Sequence, residues 1–191
     1  MIPLAFLLVL AIFVFFERYI AIKKASKMDE NFMSIIRDHI VNGNVQAARS
    51  LTKNTNTAVA RMIDKGIQRV GKPIEAIERS MESIGKLELY QMEKNLSILS
   101  VIGYIGPLFG FLGTIVGMFQ LFYTLASTGD YSLATIAGGI YVKMISSASG
   151  LIIGIIAYLG YRFLNSQIDK ATYRMEAASA DFIDILQEPT R

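Results

Sequence analysis

Three stretches of this chain are too long and too apolar to be carried on a water-exposed surface. Ile2 to Phe16 is wholly apolar and reaches Lys23 with only Glu17 and Arg18 interrupting; Asn95 to Gly129 contains no charged residue; Met144 to Tyr161 is uncharged and closes at Arg162. A bilayer hydrocarbon core about 30 Å thick takes roughly 20 helical residues to cross, and each stretch meets that length. Composition agrees: the chain has 191 residues, of which 52% are hydrophobic and 18% charged, more apolar surface than one soluble core of this size needs. The expected fold is an all-α integral membrane protein with three transmembrane helices and long helical extensions on the cytoplasmic side. Its expected segments are residues 1–22, 95–127 and 135–163 in the membrane, 23–94 and 164–191 inside, and a 128–134 loop outside. No basic residue precedes the first stretch and no small-x-small cleavage site follows it, so it is read as a retained span rather than a signal peptide.

The orientation follows from the basic residues near the span ends. Arg18, Lys23, Lys24 and Lys27 follow the first span, Arg79, Lys86 and Lys94 precede the second, and Arg162, Lys170 and Arg174 follow the third. None occurs from Ser127 to Ala134, which places the N-terminus and the Asp130 loop on the outer side of the membrane and the C-terminus in the cytoplasm. Glu17 and Arg18 are read as an interfacial anchor. The chain has no cysteine and one histidine, His39, which excludes disulfides, thiolate nucleophiles and most zinc chemistry. A net charge of +3 gives no reason to expect a nucleic-acid partner.

The segment from 24 to 94 reads as helical, broken at Gly43, at Asn54-Thr55-Asn56-Thr57 and at Gly71-Lys72-Pro73. From Pro73 onward Ile74, Ile77, Met81 and Ile84 recur at helical spacing, and no breaker separates them from the second span. One continuous helix is therefore expected there. The tail from Asn165 to Leu186 is expected to extend the third span inward.

Small residues mark both later spans. Gly103, Gly106, Gly110, Gly113 and Gly117 stand at steps of 3, 4, 3 and 4, which puts them on one helix face. Ser147, Gly150, Gly154 and Ala157 repeat the idea on the third span. Such seams are most often generic membrane-helix packing. Hydroxyls flank them: Thr114 beside Gly113, and Ser146, Ser147 and Ser149 within one turn. These could serve an ion path, although membrane hydroxyls commonly bond to a carbonyl of their own helix. Lys143 is the only charge between Asp130 and Arg162, in phase with Ser147, Gly150 and Gly154. It stands nineteen residues from Arg162, about 28 Å along a helix, so an interfacial anchor and a charge at a pore mouth are both open.

The run Gly106-Pro107-Leu108-Phe109-Gly110-Phe111-Leu112-Gly113-Thr114-Ile115-Val116-Gly117-Met118-Phe119 resembles the second-span signature of the ExbB, TolQ and MotA proton-channel family. Gly139-Ile140 through Ser146-Ser147-Ala148-Ser149-Gly150-Leu151 resembles its third-span signature. The resemblance implies a homopentamer whose second and third spans line a pore. It also implies a single-span partner of the ExbD or TolR type that brings a membrane aspartate, and a TonB-like or Tol protein that carries the work to the outer membrane. Thr114 and Ser147 match the family's second-span and third-span threonines and would serve the ion path, with Ser146 beside them. The setting is the lipid bilayer of the bacterial inner membrane. No cofactor is implied; protons or sodium ions are the transported species.

The chain departs from the pattern where the family's third-span glutamate aligns with Val142, leaving Lys143 beside a vacant position. The readings weighed are an ExbB-like subunit of a proton-driven motor, a TolQ-like or gliding or secretion subunit, and a non-conducting scaffold. An enzyme is not expected: no serine and base pair, metal cluster or paired carboxylates occur at membrane depth.

Overall fold

The computed structural model describes residues 2–27, 29, 31–129 and 131–187, all helical or in short connections, with no strand among the described residues. The helices in chain order are α1 (Ile2–Ser26), α2 (Phe32–Val41), α3 (Val45–Asn54), α4 (Ala58–Ile67), α5 (Ile74–Glu93), α6 (Leu96–Thr128) and α7 (Leu133–Gln187). They make two compact units: one of Met1–Glu17 with Asn95–Phe163, the other of Arg18–Lys94 with Leu164–Arg191.

The first unit holds the apolar stretches. Three helical runs are long and apolar enough to cross a membrane, within Ile2–Ser26, Ile74–Thr128 and Leu133–Gln187. Their outward surfaces are large apolar side chains, among them Phe6, Phe13, Leu108, Phe111, Phe119 and Leu159, which only lipid or other protein can cover at this density. Exposed tyrosines stand at two levels. Tyr104 and Tyr158 pair edge-on with ring centroids 6.5 Å apart, while Tyr123 and Tyr141 lie toward the other end. The nineteen residues from Tyr104 to Tyr123 and the seventeen from Tyr141 to Tyr158 correspond to about 28 and 26 Å of helix, close to one hydrocarbon thickness between two aromatic belts. α1 packs through Ala11 and Phe15, whose ring lies 6.4 Å from that of Phe163 and covers Gly160.

The second unit is built from amphipathic helices with ordinary stops and starts. Gly43 ends α2 with φ +70, the left-handed conformation that glycine adopts without steric cost. The Asn44 side chain caps α3 by accepting from the Ala47 amide at 3.2 Å, and Thr57 caps α4 by accepting from Ala60 at the same distance. The three breaks expected between 24 and 94 thus separate α2, α3, α4 and α5. Phe32, Ile36, Ile63, Ile77 and Met81 are buried, and Gly66 brings α4 so close that a Cβ there would meet Met81 Sδ at 2.6 Å and the Phe182 ring at 2.7 Å.

Several boundaries differ from expectation. α1 runs to Ser26, past residue 22, with Lys23 and Lys24 in the last turn where the helix dipole favours cations. α7 begins at Leu133 rather than 135, where the Ser132 hydroxyl accepts from the Thr135 amide, and runs unbroken to Gln187, the inward extension expected of the tail from Asn165 to Leu186. The expected loop at 128–134 shrinks to the residues between Thr128 and Leu133, and Asp130 lies outside the described residues.

The single helix expected from Pro73 through the second span is interrupted. α5 ends at Glu93, Lys94 turns to φ −50, ψ 132, and Asn95 takes φ +63. Asparagine tolerates that conformation better than most residues. Arg18 supplies what the end of α5 needs, donating from Nη1 to the carbonyls of Gln91 at 3.3 Å and Lys94 at 3.0 Å. Arg18 is only 8% exposed, so it is a buried helix cap rather than the expected interfacial anchor.

Candidate functional site

Helices α6 and α7 meet along the two small-residue seams, and the contact is backbone on backbone. Seen as the space an added Cβ would take, Gly106 faces the Gly150 carbonyl oxygen at 3.1 Å and Gly154 N at 3.2 Å. Gly110 faces the Ser147 carbonyl at 3.0 Å and Gly150 Cα at 3.1 Å, and Gly150 in return faces the Gly106 carbonyl and Gly110 Cα, both at 2.7 Å. With no side chain between them, the helices gain dispersion contact along the whole seam, the main attraction available where lipid is as apolar as leucine.

Pro107 belongs to this contact. It lacks an N–H for the Gly103 carbonyl one turn back, and Gly154 leaves room for both: a Cβ there would meet the Pro107 ring at 2.5 Å and Gly103 O at 2.9 Å. The seam ends at Gly103 against Tyr158. Toward the other end the contacts change from backbone to side chain. The Ser146 hydroxyl fills the notch over Gly113, the stem of Lys143 lies across Gly117, and Leu121 covers Gly139.

Thr114 is half-buried and donates to the Phe111 carbonyl at 2.5 Å, the local bond expected of a membrane hydroxyl. It lines an apolar surface groove with Phe111, Ile115, Met118, Phe119 and Phe122. Ser149 bonds to Ile145 O at 2.8 Å, while Ser146 and Ser147 are half-buried on the α6 side of α7. Among the described residues no hydrogen bond joins Thr114 to Ser146 or Ser147. The structure thus places these hydroxyls along one helix pair without linking them into a relay inside one chain.

Lys143 is half-buried, and Val142 beside it is 58% exposed on another face of α7. Between Asn95 and Phe163 the sequence carries only Asp130, Lys143 and Arg162 as charges, so the described α6–α7 seam has a cation and no carboxylate. No group of three or more His, Cys, Asp or Glu side chains that could hold a metal occurs among the described residues.

The second unit contains its own buried charge. Glu88, 4% exposed, accepts from Arg61 Nε at 2.6 Å and Nη2 at 2.5 Å, while Arg61 Nη1 donates to Asn56. The hydrogen bond to Glu88 raises the Arg61 pKa above its ordinary value, partial burial opposes that rise, and the carboxylate charge adds to it. Periodic apolar spacing gives no sign of this pair, nor of the Pro107–Gly154 fit.

Residues 54–177, spanning α4 to the extension of α7, match the MotA/TolQ/ExbB proton channel family. The chain belongs to this family. It is 34% identical to the biopolymer transport protein exbB1 of Vibrio cholerae over 88 residues, 46% of this chain and 39% of that protein. It is 30% identical to the biopolymer transport protein ExbB of Neisseria gonorrhoeae over 105 residues, 55% of this chain and 46% of that protein. The Tol-Pal system protein TolQ of Pseudomonas aeruginosa is 29% identical over 113 residues, 59% and 49% of the two chains. Each match spans less than half of the relative. Family membership and the three apolar helices together make this a multi-pass membrane protein of the proton channel family.

Proposed function

We propose that the chain is a subunit of a proton-motive-force-driven motor or ion channel in the bacterial inner membrane. It works with further copies of itself and with a single-span ExbD-like subunit, and passes energy through a TonB-like protein to outer-membrane transport. The observation that carries this reading is the position of the hydroxyls: Thr114 and the Ser146–Ser147 pair flank a seam whose own backbone is closely packed. A rigid wall with polar groups at its edge is what an ion path between subunits requires. The ions are protons or sodium ions, no cofactor takes part, and no bond-making chemistry is assigned to the chain.

The test is to express the chain with a single-span membrane protein of the ExbD type and to measure energised uptake. Thr114→Val and Ser147→Ala each remove a hydroxyl with little change in volume. Each is expected to lower uptake at least tenfold while the complex keeps its size in detergent. Wild-type uptake in both variants would overturn the ion path and leave a non-conducting scaffold. A TolQ-like subunit, the reading suggested by the Pseudomonas relative, would instead show loss of outer-membrane integrity with uptake unaffected.

A further inference from the structure

Lys143 is the one feature of the α6–α7 pair that close packing does not explain. A lysine at the end of a membrane helix ordinarily runs along the lipid surface to reach lipid phosphates. Its neighbours Tyr141 and Met144 do point to that surface, at 67% and 63% exposed. Lys143 does not share their face. Its Cγ, Cδ and Cε lie in the space that a Cβ at Gly117 would take, on the side of α7 that Ser147, Gly150 and Gly154 turn toward α6. Glycine at 117 is what makes this course possible, since any side chain there would displace the stem.

Charge makes the position costly. Lys143 stands about 3 Å along the helix inside the level of Tyr141, where the outer aromatic belt lies. α6 carries no charged residue, and α7 carries no acid before Asp169. A lysine half-buried at membrane depth gains from a counter-charge close by. Among the described residues no ion pair supplies one. Neither helix offers a carboxylate on the protein-facing side of the pair, and Asp130 lies outside the described residues.

We propose that Lys143, its stem seated at Gly117, is the fixed cation through which the α6–α7 pair binds a carboxylate on a membrane helix of another protein. This rests on the subunit reading above and names the partner chemistry at the outer end of the same wall. Lys143 is a positioning residue: it sets the register of the partner helix against α6 and α7 by one ion pair at low dielectric, where a misplaced charge is expensive.

The experiment uses the full complex with its copurifying single-span subunit and compares Lys143→Met, Lys143→Arg and Lys143→Glu with Thr114→Val. Lys143→Met is expected to lower uptake at least tenfold and Lys143→Arg to keep most of it. Lys143→Glu is expected to be inactive alone and to regain at least a tenth of wild-type uptake when the partner helix's carboxylate is exchanged for Lys. The rescue is a readout that a merely structural lysine would not give. Wild-type uptake by Lys143→Met with loss in Thr114→Val would overturn the pairing, making Lys143 a lipid anchor and leaving the subunit reading intact. Inactive Lys143→Met without rescue of the charge exchange would also overturn it. Neutral results in both Lys143→Met and Thr114→Val would overturn the subunit reading as well.

Discussion

Two glycines of one seam differ in what they touch, and that difference predicts opposite outcomes. At Gly110 the nearest atoms are the Ser147 carbonyl and Gly150 Cα, which cannot move without moving α7. Gly110→Leu is expected to force α6 and α7 apart and to cost about 1–3 kcal/mol, the usual range for overpacking, read as a lower thermal midpoint of the detergent-solubilised protein. At Gly117 the neighbour is the flexible stem of Lys143. Gly117→Ala is expected to leave the thermal midpoint within about 2 °C, since the lysine swings aside at little cost to packing. It should nonetheless lower uptake, because the ammonium moves with the stem. A large drop in stability at Gly117, or none at Gly110, would contradict the packing described.

At the scale of elements, the long helix α7 changes its rule along its length. In the first unit its buried positions are Gly150, Ile153, Gly154 and Ala157, the small-residue pattern of a membrane contact. From Leu164 the buried positions are Leu164, Ile168, Ala171, Met175, Ala178, Phe182 and Ile185, at alternating steps of four and three, with none more than 7% exposed. That is the heptad seam of water-soluble helix packing, where burial of large apolar side chains supplies the driving force. The Arg61–Glu88 pair joins α4 to α5 in the same unit. Arg61→Met would leave the Glu88 carboxylate buried without its partner and is expected to destabilise by about 3 kcal/mol, the low end for a broken buried pair because the Arg61 side chain is 39% exposed. Replacing both, Arg61→Met with Glu88→Leu, should recover most of that loss in chemical unfolding, and failure to recover would point to a role for the pair beyond stability.

On the scale of the whole molecule, the two tyrosine levels and the distribution of basic residues predict how the chain lies in the bilayer. The absence of cysteine makes this directly measurable, since an introduced thiol is the only one present. Lys72→Cys, in the connection between α4 and α5, is expected to react with a membrane-impermeant maleimide only from the cytoplasmic side, and Ser127→Cys at the end of α6 only from the periplasmic side. Labelling of both from one side would mean that the second span does not cross, and labelling from the swapped sides would reverse its orientation. The same belts account for the exposed Phe111, Phe119 and Phe122: they lie between Tyr104 and Tyr123, where an apolar side chain has no water to avoid.

Hydropathy over some twenty residues, glycine spacing and turn-forming residues were sufficient to locate three apolar spans, the small-residue seams and the stops at Gly43, Asn54 to Thr57 and Pro73, because each of these signals is local and periodic. The hydroxyls and Lys143 could also be singled out from sequence, as polar groups inside apolar runs. What required tertiary structure was every pairing between distant residues: Arg18 with the carbonyls that end α5, Pro107 with Gly154, Arg61 with Glu88, and Lys143 with Gly117. No periodicity encodes these, since each depends on which turns of separate helices come to the same level. The continuous helix expected through Lys94 and Asn95 shows the limit most plainly: neither residue is a strong breaker, and the chain turns there because Arg18, seventy-six residues earlier, satisfies the carbonyls that a longer helix would have used itself.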